Sequence, residues 1–258
     1  MAATYTYPPT AYDAVEHPPD DLEELRFQRK LEVVIGYRIL AANRWGQLGD
    51  GHVTARDPIL TDHFWVLRYG VPFGEATVSN LVLISPDRKI VEGPTAGGMN
   101  FAAFNIHHPI FEARPDVISA CHVHTPYGTP WSANVKPFQP ISQESCGLVY
   151  NQAMYEGEDL EVVDVGGGER IAEAIGNNRL VIMRNHGLLT AADSPAAAVG
   201  WFVTAERVAE VHVKAPNAIP ISDEAARIVA ETIGAPAMGW RTFQWLARDI
   251  VPDPLVVM

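Results

Sequence analysis

The sequence predicts a layered α/β domain, and three observations favour that fold class. Short β-branched and aromatic stretches, such as HFWVLRYG (63–70), alternate with amphipathic stretches of helical periodicity. The chain has 258 residues, enough for one large core, and no repeat or linker divides it. Its 47% apolar and 19% charged residues are ordinary for a globular protein. We therefore predict a single domain over residues 21–258, preceded by an arm over residues 1–20.

Helices are predicted over 21–45, 100–113, 166–176, 194–215, 222–234 and 240–250. Asp20 and Asp21 precede the first helix as capping residues. Pro109 predicts a kink or a break in the second helix. In the fourth, Ser194 suits the N-cap and Pro195 the first helical position.

Strands are predicted within 51–58, 63–70, 78–85, 89–93, 116–124 and 179–185, with a hairpin turn at 85–89. The segment 139–163 has a mixed pattern and is assigned to no element. The arm is rich in proline and tyrosine and has little apolar pattern. We expect it to pack on a neighbouring molecule or to be disordered.

Charge and cysteine content limit the classes of function. The formal net charge of −12 disfavours nucleic acid and anionic membranes as partners. The N-terminus has no basic stretch followed by an apolar one, and no apolar run approaches the length of a membrane span. The two cysteines, Cys121 and Cys146, cannot form a disulfide framework. These features indicate a cytoplasmic protein.

Three histidines form a candidate metal site. His122 and His124 are two apart at the end of a predicted strand, where side chains at i and i+2 share a face. His186 follows a second apolar strand. Three neutral imidazoles that leave a coordination position open are typical of catalytic zinc sites. The alternative is a set of inert, hydrogen-bonded residues, because a chain with nine histidines contains some pairs by chance.

The chain resembles the class II aldolase/adducin family. The resemblance rests on GDGHVTAR (49–56), EARPDVISACHVHTPYG (112–128) and RNHGLL (184–189), in that order. It implies a three-layer α/β/α fold around a central, largely antiparallel sheet, and a homotetramer with active sites at subunit interfaces. It also implies that His122, His124 and His186 hold the metal, which is zinc in the sugar-phosphate aldolases.

The chain departs from the aldolase pattern at two places. The position that matches the catalytic glutamate is Ala103, which cannot transfer a proton. The stretches that match the phosphate-binding turns are 51–54 and 67–70, and the paired hydroxyl residues are replaced by Phe101 and Ala102. Few hydroxyl groups remain to hold a phosphate. We therefore predict a substrate that is not phosphorylated, of the aromatic or carboxylated carbonyl class.

Other residues are candidates for the remaining roles. His52, Tyr127 and Glu144 are candidate acid–base residues, although Tyr127 and Glu144 have simpler interpretations as a packed aromatic and a solvated loop residue. Candidate substrate contacts are Arg68, Asn100 and His107. Of these, Arg68 is the one suited to bind an anion.

Three functions remain open. The first is a metal-dependent lyase that acts on a small carbonyl compound or a hydroxy or keto acid, by retro-aldol cleavage or decarboxylation through an enolate stabilised by the ion. Decarboxylation suits the missing glutamate because no base has to remove a proton. The second is a non-heme Fe(II) oxygenase, since three histidines bind Fe(II) or Mn(II) as well as Zn(II). The third is a non-catalytic interaction protein like adducin.

Overall fold

A single mixed sheet forms the centre of the computed structural model, which describes residues 5–11 and 13–258. Its strands within these ranges are β1 Gly51–Arg56, β2 Phe64–Leu67, β3 Leu81–Ile84, β4 Ile90–Glu92, β5 Ser119–Val123, β6 Gln152–Tyr155, β7 Leu180–Met183 and β8 Gly187–Ala192. Their order across the sheet is β4-β3-β2-β1-β5-β8-β7-β6. The β6–β7 pair is parallel and the other pairs are antiparallel, which confirms the predicted largely antiparallel sheet.

Helices cover both faces of this sheet. They are α1 Leu22–Ala42, α2 Phe101–Ala113, α3 Gly128–Ser132, α4 Gln143–Cys146, α5 Val165–Ile175, α6 Pro195–Lys214, α7 Asp223–Ile233 and α8 Ala237–Ile250. Helices α1, α6 and α8 pack on one face, and α2 and α5 pack on the other. Each face has its own apolar core, so the predicted three-layer arrangement is confirmed. Within the described ranges, no helix has the length and hydropathy needed to cross a bilayer.

Two predicted helix caps are present. The side chain of Asp21 accepts hydrogen bonds from the backbone N–H groups of Glu23 and Glu24. The Ser194 hydroxyl accepts one from the N–H of Ala197. The first predicted helix ends a few residues early, at Ala42. The N-terminal ends of the core-facing helices α1 and α6 are thus fixed by local side chains, as the sequence predicts.

Pro109 does not break α2, so that part of the prediction is wrong. The helix runs continuously through it to Ala113. Proline has no N–H to donate to the carbonyl of Asn105, one turn earlier. Helix α5 crosses α2 at this carbonyl, where a Cβ on Gly168 would lie only 1.8 Å from the Asn105 oxygen. The helix is therefore held by burial between the sheet and α5, which outweighs the missing hydrogen bond.

The described part of the N-terminal arm has no helix or strand and lies on the chain's own surface. The hydroxyl of Tyr7 donates to the carbonyl of Val251 at 2.6 Å. Farther along, Arg241 donates to the carbonyl of Ala14 at 2.9 Å. These contacts attach the arm to the last helix and the segment after it.

Several strands begin or end at the same edge of the sheet, which here means the edge formed by strand ends and not by an outermost strand. Strands β5 and β7 are both antiparallel to β8, so their C-terminal ends meet at the same edge. Strand β1 is antiparallel to β5 and begins at that edge, with His52 opposite His122. Residues that precede β1 and follow β5 and β7 are therefore brought together, although they are far apart in the sequence.

Candidate metal centre

The three predicted ligands lie together at this edge. The ring centroids are 5.2 Å apart for His122 and His124, 4.8 Å for His122 and His186, and 5.0 Å for His124 and His186. One ring nitrogen from each lies within 4.8 Å of the other two. In the described part of the chain, this is the group of three acidic, histidine or cysteine side chains with such spacing. The geometry can accept one ion.

Burial favours the neutral imidazole in His122 and His186, which is the form that binds a metal ion. Nδ1 of His122 lies 2.7 Å from the carbonyl oxygen of Leu188 and donates to it, which leaves Nε2 as its free lone pair. Burial, together with the neighbouring histidines, holds the pKa of His122 well below its usual value. Burial and His124 lower the pKa of His186 to about 4.

Two buried polar atoms beside the triad have no hydrogen-bond partner. They are Nδ1 of His186 and Oδ1 of Asp50. The other carboxylate oxygen of Asp50 lies 3.7 Å from Nδ1 of His124. Buried polar groups are nearly always paired, so these atoms indicate a missing cationic ligand. The residues present therefore fit a divalent metal ion.

The turn between β7 and β8 places His186. Its backbone N–H donates to the carbonyl of Met183, which closes a tight turn. Asn185 has a φ of 55°, in the left-handed region that asparagine tolerates better than most residues. The motif RNHG therefore supplies both the turn and the ligand that the turn presents.

Glu206 on α6 fixes the loop after His124. It is 3% exposed and accepts three hydrogen bonds, from the Thr125 hydroxyl at 2.6 Å and from the N–H groups of Tyr127 and Gly128 at 2.9 and 2.7 Å. Burial raises its pKa. The sequence prediction missed this residue. The sequence did offer one indication of it, a glutamate among the mainly apolar residues of the predicted helix.

A buried chain of side chains leads from β1 to α2. Nδ1 of His52 lies 2.9 Å from Nε2 of His107, and Nδ1 of His107 lies 2.7 Å from the Thr54 hydroxyl. Burial first, and then nearby histidines, hold the pKa values of His52 and His107 well below their usual value. His107 therefore orients His52. Because it is fully buried and paired at both nitrogens, its predicted contact with substrate does not fit this structure.

A cavity of about 480 Å³ opens onto the triad. Of the other predicted site residues, His52 and Asn100 line it, whereas Arg68 lines a neighbouring cavity. Two carboxylates that sequence reasoning missed, Asp50 and Glu161, also line it. The strand pairing that brings Asp50 beside His124 was not readable from spacing alone.

Tyr127 and Glu144 are not among the residues that line this cavity. The ring of Tyr127 lies 5.1 Å from the ammonium group of Lys214. Glu144 lies 3.7 Å from the guanidinium group of Arg207. The structure does not bring either side chain to the metal centre of its own chain.

The chain belongs to the class II aldolase and adducin family. Residues 32–213 match the family described as Class II Aldolase and Adducin N-terminal domain. One relative is the 4-hydroxy-3-prenylphenylpyruvate oxygenase/4-hydroxy-3-prenylbenzoate synthase of Streptomyces roseochromogenus, which is 31% identical over 90% of this chain and 86% of its own. A second is the decarboxylase NovR of Streptomyces niveus, 31% identical over 93% of this chain and 92% of its own.

Solved structures support the same assignment. The L-fuculose 1-phosphate aldolase of Glaciozyma antarctica superposes with a TM-score of 0.83 at 31% identity, over 91% of this chain and 93% of that one. The resemblance of the motifs to this family is thereby confirmed, and so is the fold that it implies. The decarboxylase and oxygenase among these relatives support an enzymatic function, and the alpha-adducin of Rattus norvegicus, 32% identical over 69% of this chain and 24% of its own, belongs to the same family.

Proposed function

We propose that this chain is a metal-dependent lyase that cleaves a carbon–carbon bond in a non-phosphorylated carbonyl compound or hydroxy or keto acid, by retro-aldol cleavage or by decarboxylation to an enolate. The observation that carries the proposal is the triad together with two buried atoms that have no partner, Nδ1 of its own His186 and Oδ1 of the adjacent Asp50. When bound, a divalent ion supplies Lewis-acid polarisation of a carbonyl group. Zn(II) is the ion we expect first, with Fe(II) and Mn(II) as the other candidates.

The side chains around the cavity favour decarboxylation. Helix α2 offers no carboxylate where the aldolases have their base, since Ala103 is fully buried in the core. Neighbouring Phe101 and Ala102 line the cavity instead of hydroxyl residues. His52, held neutral by burial and oriented by His107, presents a hydrogen-bonding ring to the substrate. When a 3-oxo acid loses carbon dioxide, the electrons of the broken bond pass to the carbonyl oxygen as an enolate, and no base has to remove a proton. Decarboxylation therefore suits this set of residues.

A second candidate function is an oxygenase that uses Fe(II). The relative named as an oxygenase is similar to this chain over nearly its whole length. Three neutral histidines with open positions bind Fe(II) readily. The role of a non-catalytic interaction protein is not favoured, because such a protein needs no open metal site with unpaired buried atoms beside it.

Metal-dependent turnover tests the proposal. The purified chain is stripped with chelator, loaded anaerobically with Zn(II), Mn(II) or Fe(II), and mixed with 3-oxo acids, 4-hydroxy-2-oxo acids, aryl pyruvates and L-fuculose 1-phosphate. We expect carbon dioxide or aldehyde release from an acid, and none from the sugar phosphate. Oxygen uptake with Fe(II) alone would select the oxygenase. No cleavage of any acid with any metal would refute both.

We also propose a homotetramer. Tyr127 and Glu144 lie outside the cavity of their own chain, so a catalytic role for either requires the site of a neighbouring chain. Light scattering after size exclusion measures the mass directly. A monomer with full activity would exclude such a role for both residues.

A further inference from the structure

A second cavity adjoins the metal cavity and is larger, with a volume of about 640 Å³ against about 480 Å³. The two share Gly49, Gly51, Tyr69 and Asn100 in their walls. A ligand can therefore extend from one into the other. We call the second cavity the annex, and its lining residues are 37, 41, 45–49, 51, 67–74 and 100.

The walls of the annex are mainly aromatic and aliphatic. The rings of Tyr37 and Phe73 meet edge to face with centroids 4.7 Å apart, and Trp45 lines the same space. Leu67 and Val71 complete this apolar surface. Aromatic rings pack favourably against one another, either edge to face or in offset stacks. These walls therefore suit a planar apolar group.

Arg68 is the charged residue among the described residues that line the annex. One of its terminal nitrogens donates to the carbonyl of Ala96 at 2.6 Å. Its Nε is buried and has no partner. An unpaired N–H on a buried part of a guanidinium group is unfavourable unless an acceptor reaches it. An anionic or acidic oxygen is the acceptor that arginine binds best.

We propose that the annex binds an aryl ring that carries an acidic oxygen, either a phenol or a carboxylate. The ring lies against the aromatic walls, and the oxygen accepts hydrogen bonds from Arg68. Phosphate is the weaker alternative, since no serine, threonine or lysine lines the annex among the described residues. That this group is the tail of a substrate rests on the proposed function, whereas binding in the annex does not.

Calorimetry on the chelator-treated, full-length chain tests the proposal without any turnover. The probes are 4-methylbenzoate, 4-methylphenol, 4-methylbenzylamine and inorganic phosphate. We expect one molecule of the benzoate or the phenol to bind per chain, and the tighter of the two identifies the oxygen. The cationic amine should not bind, because Arg68 repels it.

Arg68→Met should weaken binding of the preferred probe about ten- to a hundredfold, since it removes a charge-assisted hydrogen bond. Arg207→Met is the matched control, because Arg207 lies outside the annex, beside Glu144. A second variant, Leu48→Glu, places a negative charge at a lining position that is 90% exposed and poses no risk to the fold. It should weaken benzoate binding about two- to fivefold relative to Leu48→Gln.

Three results would overturn the proposal: no binding of either oxygen-bearing probe, equal binding by wild type and Arg68→Met, or tighter binding of the amine or of phosphate. The two proposals fail separately. Probe binding without turnover of any acid would leave the annex and remove the proposed function. Turnover with no probe binding would leave the proposed function and remove the proposal for the annex.

Discussion

Two groups of titratable side chains, each with buried members, lie in different parts of this protein, and they differ in how they are paired. The triad His122, His124 and His186 sits at the strand edge, with Nδ1 of His186 left unpaired. Glu16 and Glu32 lie near the start of α6. Glu16 accepts from the Ser194 hydroxyl at 2.7 Å, and Glu32 accepts from the side chain of Gln28 at 2.9 Å.

The difference separates a binding site from a structural cluster. Glu32 accepts a hydrogen bond on each of its carboxylate oxygens and Glu16 accepts one. Burial, and then the nearby Glu32, raise the pKa of Glu16, so that it keeps its proton near neutral pH. At the triad, by contrast, Nδ1 of His186 and Oδ1 of Asp50 have no partner. Because the three histidines also have the spacing of a metal site, this incomplete pairing supports a ligand there more directly than burial or a shifted pKa does.

The largest effect is expected from His186→Ala. Loss of one of three ligands should reduce bound metal from about one ion per chain to a small fraction, and turnover by at least about a hundredfold. The melting temperature of the metal-free protein should hardly change, since Nδ1 of His186 has no partner to lose. Elemental analysis measures the bound metal, and scanning calorimetry measures the melting temperature. Metal content equal to that of the control His63→Ala would contradict the assignment of this ligand.

Glu206→Ala should have the next largest effect. It leaves the hydroxyl of Thr125 and the N–H groups of Tyr127 and Gly128 without an acceptor in a buried place, at a cost of about 3 kcal/mol in the free energy of unfolding. Metal affinity should fall about tenfold because the loop after His124 loosens. Denaturant unfolding measures the free energy of unfolding, and metal titration measures the metal affinity.

Glu206→Gln is the matched control for that loop, since one amide oxygen can replace part of the acceptor set. It should recover part of the lost stability and of the metal affinity. If Glu206→Ala loses stability while its metal affinity stays at the wild-type level, Glu206 supports the fold alone and has no role in placing the ligand.

Glu32→Gln should have the smallest effect, and its sign depends on pH. Burial raises the pKa of Glu32 above its usual value, so the native state holds this proton more tightly than the unfolded state. The stability that the proton supplies is complete below the ordinary carboxyl pKa and is lost as the pH rises through the raised value. An amide mimics the protonated acid, so the variant should lose less stability than wild type on going from pH 5 to pH 9, by about 1–2 kcal/mol.

Thermal unfolding across this pH range measures the difference. Glu112→Gln is a suitable control, because Glu112 is exposed at the end of α2. Parallel stability curves for wild type and Glu32→Gln would show that Glu32 is ionised in the native state. The glutamate cluster would then be as incompletely paired as the histidines, and the contrast between the two groups would be lost.

Local patterns in the sequence predicted most of the helices and strands and paired His122 with His124 as candidate ligands. Helix periodicity with Asp21 and Ser194 at the caps predicted α1 and α6, because capping and amphipathicity act within a few residues. The i, i+2 spacing of His122 and His124 predicted a shared face, because side chains alternate along a strand. Strand β6, at Gln152–Tyr155, was missed because it pairs in parallel at the sheet edge and has little alternation of its own.

Only the tertiary structure decided which distant residues complete the site. Strand order and register brought Asp50 and His52 to the triad, moved His107 behind His52, and kept Tyr127 and Glu144 out of the cavity. It also joined the metal cavity to the annex and left Nε of Arg68 without a partner there. The sequence alone paired His122 with His124 because their spacing is local, and the resemblance of the motifs added the distant His186 as the third candidate ligand. The rest depends on pairing between strands that are far apart in the chain, which no local pattern records.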